Sequence, residues 1–214
     1  SDIYSKITTN DKTINSICIN GIYAYLSTNF GIIKLNMKDA EVTNTYNFGA
    51  KVNSCAILDN NIYAASPDGI YLGNENSNLI DKSNWKIVTP NSFKGIYNYN
   101  NTIVCFTSDY IFKYNTDANN YDLLDQGNFT YLSINNGKMI IGNSSSATVY
   151  SDINNKSSIN TDGNTTYIAY DSNNGYYWYN QKDGGLTASK AEETTLTNTL
   201  SDIIPNSPKQ NYFY

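Results

Sequence analysis

The sequence contains no histidine and no arginine, since all 14 of its basic residues are lysines. These absences exclude Ser-His and Cys-His nucleophile pairs, metal sites with histidine ligands, and bidentate guanidinium contacts with phosphates or carboxylates. Charged residues make up only 15% of the 214 residues, and the formal net charge is -5. Surfaces that bind nucleic acids are normally basic. We therefore expect no nucleic-acid partner.

Cysteine is also scarce, with single residues at Cys18, Cys55 and Cys105 and no CxxC pair. An odd number of widely spaced cysteines argues against a closed disulfide framework or a zinc site. Each of the three lies in an apolar run, where a thiol behaves as a small hydrophobic side chain. We expect these cysteines to be core residues, and we predict no metal and no cofactor.

Targeting signals and membrane spans are missing from the sequence as given. The chain opens at Ser1 without an initiator Met, a basic segment or the apolar segment of a signal peptide, and it contains no run long enough to span a bilayer. We expect a mature or trimmed chain, and this start does not indicate its compartment.

Tyrosine and asparagine are the abundant residues. There are 20 tyrosines, and about one residue in six is asparagine. Tyrosine favours strands, whereas asparagine favours turns and accepts positive φ angles. The composition therefore predicts an all-β domain rich in turns.

Short apolar runs separated by turn residues recur along the chain at intervals near 40 residues. Ile22 and Ile62 begin matching runs at a spacing of 40, and Gly31 and Gly69 precede others at a spacing of 38. Three runs per repeat have the β-branched and aromatic enrichment of strands, a weaker fourth follows, and Asn-Asn-Gly triplets such as 135–137 indicate hairpins. This pattern is typical of propeller blades. The sequence predicts an antiparallel β-propeller of about five blades.

We predict a single propeller region over residues 1–214, in which residues 201–214 begin a further blade. An open array of blades would leave two apolar faces in water. Either five blades close here, or the chain is part of a six- to eight-bladed ring, which we favour. The predicted blades are 13–49, 50–90, 91–127, 128–163 and 164–200.

Several acidic residues resemble fragments of known sites. Asp68 and Asp81 near Trp85 resemble sialidase aspartate boxes, but the spacing is wrong and no arginine cluster is present, so turn aspartates are favoured. Residues 152–156 and 160–163 resemble pieces of a calcium loop but lack the glycine and the closing acidic residue of the EF-hand pattern. We assign no catalytic, cofactor-binding or metal-binding residue and expect no enzyme. The glutamates, none in a catalytic setting, are Glu41, Glu75, Glu192 and Glu193.

The densest aromatic cluster is Tyr176, Tyr177, Trp178 and Tyr179. Alternate residues of a strand face opposite sides, so one pair should pack between blades while the other faces solvent or a neighbouring blade. Exposed Tyr and Trp beside amides would suit stacking on sugar rings. We favour packing between blades, and the ligand-binding residues stay unknown.

Residues 29–49, with Phe-Gly-Ile, Lys-x-x-Glu-Val and Thr-Tyr-x-x-Gly, resemble the N-terminal propeller of PorZ, a component of the type IX secretion system of Bacteroidetes. Residues 62–85, which include Asp-Gly-Ile-Tyr, are similar to the next blade, and residues 204–213 resemble the opening strand of a later one. The resemblance covers most of the chain as a pattern, but specific residues only from about Asn29 to Trp85.

The resemblance implies an exported, non-enzymatic component in the periplasm or at the outer-membrane cell surface. Such a component assists the attachment of secreted cargo to anionic lipopolysaccharide and works with the sortase PorU. The implied partners are a PorU-like sortase and lipopolysaccharide or another glycan. An Asp-Gly-Ile-Tyr strand also occurs in the periplasmic sensor propellers of hybrid two-component regulators, so a ligand-sensing propeller is the alternative.

Overall fold

The computed structural model describes residues 11, 13–115, 118, 120–161, 163, 165–181, 185–192 and 194–196. These residues form five separate antiparallel sheets, and in each sheet every strand pairs with the strand that follows it in the chain. The first four sheets have four strands each and the fifth has three. No α-helix occurs in the part of the chain that is described, which contains one 3-10 turn at Lys82–Asn84.

Sheet 1 contains β1 (Ile14–Asn20), β2 (Tyr23–Thr28), β3 (Gly31–Asn36) and β4 (Glu41–Asn47). Sheet 2 contains β5 (Ser54–Leu58), β6 (Asn61–Ser66), β7 (Gly69–Asn74) and β8 (Trp85–Thr89). Sheet 3 contains β9 (Gly95–Tyr99), β10 (Thr102–Phe106), β11 (Tyr110–Asn115) and β12 (Asn120–Gln126). Sheet 4 contains β13 (Tyr131–Asn135), β14 (Lys138–Gly142), β15 (Ser146–Tyr150) and β16 (Lys156–Asn160), and sheet 5 contains β17 (Thr165–Asp171), β18 (Tyr176–Gln181) and β19 (Gly185–Lys190).

The chain divides into two compact units, one ending at Asp125 and the other beginning at Gln126. Sheets 1 to 3 belong to the first unit and sheets 4 and 5 to the second. Within the first unit β1 packs beside β5 and β5 beside β9, and within the second β13 packs beside β17. The leading strands of successive sheets therefore lie next to each other in both units.

The hairpin turns explain part of the asparagine content. Backbone φ is positive at both central residues of three two-residue turns, which is the requirement of a type I′ turn and suits Asn, Asp and Gly. The predicted turn at residues 135–137 is confirmed, with φ of 48° at Asn136 and 76° at Gly137. The other two turns are Asp59–Asn60 and Asn100–Asn101.

The apolar cores lie between successive sheets rather than at one central point. Tyr25 and Ile32 of sheet 1 pack with Ile57, Ile62 and Trp85 of sheet 2. A second cluster joins sheets 2 and 3 in the same way, and a third joins sheets 4 and 5. Sheets 1, 2 and 3 are thus stabilised by burial against one another, and so are sheets 4 and 5, and the large flat side chains of tyrosine suit these interfaces.

Hydrogen bonds from side chains to the backbone connect the same sheets, and we call them the inter-sheet hydrogen bonds. Each of them pairs a side-chain donor with a backbone carbonyl of the neighbouring repeat. The donors and acceptors are Asn15 Nδ2 to Val52 O (2.8 Å), Asn53 Nδ2 to Phe93 O (2.9 Å), Ser54 Oγ to Ile96 O (3.2 Å), Asn98 Nδ2 to Ile57 O (2.8 Å), Ser133 Oγ to Ile168 O (2.6 Å) and Asn136 Nδ2 to Tyr170 O (2.7 Å). Asparagine therefore joins sheets as well as forming turns.

Burial of tyrosine predicts how the protein responds to alkali. Burial raises the pKa of Tyr46 and of Tyr114 to about 12, and the nearby charge of Glu75 adds to the effect at Tyr46. Because an unfolded tyrosine has a pKa of roughly 10, the neutral phenols stabilise the fold below that pH, and this contribution is lost as the pH rises through 12. We expect part of the tyrosinate absorbance of the native protein to develop only near pH 12, together with loss of the far-ultraviolet circular dichroism. In denaturant, all 20 tyrosines should titrate in one earlier transition. A single native transition that leaves the dichroism unchanged would contradict this expectation.

Candidate functional site

A recessed surface that combines aromatic and amide side chains lies on sheet 5, and we call it the aromatic face. Cross-strand pairing sets Ala169 opposite Trp178, and Asn180 opposite Leu186. A pocket of about 490 Å³ lies over this part of the sheet. Its lining residues are Thr166, Tyr167, Ala169, Trp178, Tyr179, Asn180 and Leu186.

The opposite side of β18 is packed into the core. Tyr177 is 2% exposed and Tyr179 1% exposed, and both belong to the cluster between sheets 4 and 5. The hydroxyls of Tyr179 and Ser189 lie 3.1 Å apart and share a hydrogen bond. The prediction that one pair of the aromatic run packs between blades is confirmed, and Tyr177 and Tyr179 are that pair.

Trp178 and Tyr167 supply the aromatic surface of the pocket. Trp178 is half-buried, and Tyr167 keeps 47% of its surface exposed although its ring lies 5.9 Å from the ring of Tyr131. Hydrogen bonds from Asn174 and from the backbone of Asn173 lower the pKa of the Asp171 carboxyl. The Trp178 indole also donates a hydrogen bond to this carboxyl and lowers its pKa further. The face therefore has two aromatic rings and an anionic carboxylate at its edge.

Asn180 adds hydrogen-bonding capacity to the aromatic face. Its side-chain nitrogen donates to the Thr166 hydroxyl. Its side-chain oxygen is buried, and no hydrogen-bond partner for it occurs among the described residues. A buried acceptor without a partner carries an energetic cost that a donor entering the pocket would relieve. Aromatic rings beside a free amide acceptor are suited to a flat or ring-shaped ligand with hydroxyl groups.

The acidic residues considered as site fragments have local structural roles. Asp81 Oδ1 accepts from the backbone N–H and the hydroxyl of Ser83, both at 2.9 Å, and caps the 3-10 turn. Asp152 Oδ1 accepts from the backbone N–H groups of Asn154 and Asn155. Asp68 lies in the turn between β6 and β7. The turn interpretation is confirmed for Asp81, and Asp162 of the second loop lies outside the described residues.

Metal ligands do not cluster within the described ranges, where no group of three His, Cys, Asp or Glu side chains is close enough to hold an ion. Also within those ranges, no helix has the length and apolarity needed to cross a bilayer.

Glu75 takes part in an ion pair between sheets 1 and 2. Its Oε1 accepts from Lys34 Nζ at 2.6 Å and from the Tyr25 hydroxyl at 2.8 Å. The Lys34 ammonium also lies 4.2 Å from the centre of the Tyr23 ring. Glu75 thus has a structural role that its position in the sequence did not indicate. Glu41 and Glu192 are exposed, and Glu193 lies outside the described residues.

The predicted core position of the cysteines holds for two of the three. Cys55 is 3% exposed and Cys105 fully buried, whereas Cys18 is only partly buried. Cys18 faces the side of β1 opposite the exposed Ile17 and Ile19, and it packs against the edge of the apolar cluster between sheets 1 and 2. All three thiols are free.

Comparison with known proteins identifies the class of fold. The structure is similar to PorZ of Porphyromonas gingivalis, described as a surface component of the type IX secretion system, with a TM-score of 0.74 and 21% identity over 86% of this chain and 25% of that one. It is also similar to an extracellular domain assigned to a one-component system of B. thetaiotaomicron, with a TM-score of 0.61 and 16% identity over 82% of this chain and 26% of that one. A third similar structure is YCF48 bound to the D1 peptide, with a TM-score of 0.65 and 15% identity over 94% of this chain and 71% of that one.

The fold is an all-β, antiparallel β-propeller, as the repeats predict, and five sheets are described. Residues 1–86 match the family of PorZ N-terminal β-propeller domains of the type IX secretion system, which confirms the resemblance over that part of the chain. No curated protein matches the sequence. The chain spans about a quarter of the length of PorZ. Closure of the ring and the division of residues 1–214 into blades of one region stay predictions.

Proposed function

We propose that this chain is a non-enzymatic binding propeller that acts in type IX secretion and in the attachment of secreted cargo to the cell surface. The observation that carries the proposal is the match of residues 1–86 to the PorZ N-terminal propeller family. The chain works outside the inner membrane, in the periplasm or at the outer-membrane surface, as one propeller region over residues 1–214. It binds a sortase of the PorU type and anionic lipopolysaccharide.

The charge of the chain is consistent with binding through shape and hydrogen bonds rather than through a basic surface. A net charge of -5 without arginine disfavours tight capture of phosphates by charge alone. A sugar chain, in contrast, is recognised by stacking on aromatic rings and by hydrogen bonds to amides. The aromatic face offers both through Tyr167, Trp178 and Asn180. We assign the glycan part of the lipopolysaccharide to this face.

Calorimetric titration of the full chain with purified anionic lipopolysaccharide tests the assignment. We expect binding that Trp178→Ala weakens by about five- to thirtyfold, because loss of one stacking aromatic ring removes roughly 1–2 kcal/mol. Tyr167→Ala should act in the same direction. Tyr110→Ala is the matched control, since Tyr110 is 38% exposed on sheet 3 and far from the pocket in sequence. The control should bind as the unmodified chain does.

The possible outcomes test the assignment to the aromatic face and the proposed secretion role independently. If the chain binds the lipopolysaccharide and neither aromatic variant weakens it, the glycan site lies elsewhere on the propeller. If neither the lipopolysaccharide nor a PorU-type sortase binds in a pull-down, the secretion role itself is wrong. Circular dichroism of each variant distinguishes loss of a contact from loss of the fold.

A ligand-sensing propeller of a hybrid two-component regulator is the second candidate. It is supported by the similarity to an extracellular domain of B. thetaiotaomicron described as part of a hybrid two-component system, at a TM-score of 0.59. The coding sequence downstream of Tyr214 separates the two candidates. A second propeller followed by a β-sandwich favours the secretion role, whereas a transmembrane helix followed by a kinase core favours the sensor.

A further inference from the structure

Two thiols meet at the interface between sheets 1 and 2. Cys18 lies on β1 and Cys55 on β5, and these two strands pack side by side. Cys18 packs against the apolar cluster that contains Cys55. Cys18 is the cross-strand partner of Tyr25, and the Cys55 Sγ lies 4.0 Å from Tyr25 O, so both thiols lie beside the same residue. A hydrogen bond between the two thiols joins them there. Neither the propeller fold nor a binding function requires such a pair.

The surroundings make the two sulfur atoms unequal. The backbone N–H of Ile57 donates toward Cys18, and the Cys55 thiol points to the carbonyl of Tyr25 at 4.0 Å. The hydrogen bond from Cys55 and that from Ile57 lower the pKa of the Cys18 thiol. The pKa of Cys55 is raised well above its ordinary value by the hydrogen bond with Cys18 and by burial. The thiolate therefore forms on Cys18, which is also the more accessible of the two.

We propose that Cys18 and Cys55 are a redox-active pair that closes to a disulfide between sheets 1 and 2 on reaction with a disulfide oxidant. The proposal goes beyond the binding function and does not depend on it. The Cys18 thiolate attacks one sulfur of the oxidant R–S–S–R, and the oxidant's bond breaks to release one thiolate. Cys55 then loses its proton to that thiolate and attacks the Cys18 sulfur, which releases the second R–S group. The two thiols give up two electrons and two protons, and the oxidant becomes two R–SH.

Two features favour closure over a lasting mixed disulfide. The resolving thiol of Cys55 already contacts Cys18, so the second step needs no large movement of the strands. The attacking thiol has the lowered pKa and the better access, which is the combination found at reactive cysteines. Cys105 lacks both features. Burial raises the pKa of its thiol, and among the described residues no second thiol lies beside it.

Oxidation of the full chain with oxidised glutathione tests the pair. The three cysteines should all react with an alkylating agent in denaturant before treatment, and only Cys105 should react afterwards. The mass should fall by two hydrogen atoms, and a peptide joining Cys18 to Cys55 should appear in the digest. The midpoint of thermal unfolding should rise by roughly 5–10 °C, because the bond restricts the unfolded chain.

Single variants test the order of the two steps. Cys55→Ser should accumulate a glutathione adduct on Cys18, since no resolving thiol is left, whereas Cys18→Ser should accumulate none. Cys105→Ser is the matched control and should still form the cross-link. The proposal is overturned if three alkylated cysteines persist after oxidation, if a Cys18 adduct persists in the unmodified chain, or if Cys18 forms dimers between chains. Circular dichroism establishes that each variant is folded before oxidation.

Discussion

Replacement of Gly69 by alanine is expected to destabilise the protein by at least about 3 kcal/mol. Gly69 begins β7 with a φ of +134°, which side chains rarely adopt. A Cβ there would lie 2.0 Å from Thr89 O and 3.1 Å from the Cα of Pro90. Both atoms belong to the backbone at the end of β8, so relief requires β7 and β8 to separate. Urea unfolding followed by tryptophan fluorescence measures the loss.

The control for Gly69→Ala is Gly21→Ala, which isolates the cost of the backbone angle. Gly21 has a φ of +59°, but nothing lies within 4 Å of an added Cβ. We expect this variant to lose only about 1–2 kcal/mol. Gly31, where β3 begins, repeats the geometry of Gly69, with a Cβ position 2.0 Å from Tyr46 O. Equal losses at Gly69 and Gly21 would show that the close contact with β8 does not matter.

Truncation of Trp85 to alanine is expected to cost about 3–5 kcal/mol. Trp85 is 7% exposed, and its ring centre lies 4.8 Å from that of Phe48 and 5.9 Å from that of Tyr46. Its indole N–H donates to Leu79 O at 2.9 Å. The side chain therefore fills the interface between sheets 1 and 2 and also holds the loop before β8. Thermal and urea unfolding measure the effect.

A second variant separates the contribution of the indole hydrogen bond from that of the ring contacts, and a third is the control. Trp85→Phe keeps most of the ring contacts but leaves Leu79 O without its donor, and we expect it to cost about 1–3 kcal/mol. Ile87→Ala on the same strand is the matched control, because Ile87 is 53% exposed and its truncation should change stability by less than about 0.5 kcal/mol. A Trp85→Ala loss no larger than that of Ile87→Ala would contradict the proposed role of Trp85 in the core.

The strands and turns could be predicted because their signals are local. A turn such as Asn136–Gly137 needs only two adjacent residues that accept positive φ, and a strand needs only a short β-branched or aromatic run. Burial of Tyr177 and Tyr179 follows from the period of two along β18, although the period alone does not tell which pair is buried. The fourth strands β12 and β16 give weak signals in the sequence, because most of their residues are exposed and their apolar residues do not alternate clearly.

Contacts between sheets could not be predicted, because they depend on which strands meet in space. The ion pair of Lys34 with Glu75 joins residues 41 positions apart, and nothing near either residue in sequence indicates the other. The contact of Cys18 with Cys55 has the same origin, since each thiol alone is a typical core residue. The pocket at Trp178 needs β17, β18 and β19 together before its lining is defined.

The inter-sheet hydrogen bonds place few restrictions on the evolutionary divergence of the repeats. Each bond joins one side chain to a main-chain carbonyl, and every residue carries that acceptor. Only the donor position, such as Ser54 or Ser133, restricts the amino acid, and the facing position can vary without losing the bond. Neighbouring repeats can therefore drift apart in sequence while their sheets remain docked in the same register. The same geometry accounts for repeats that agree in spacing and differ in most of their residues.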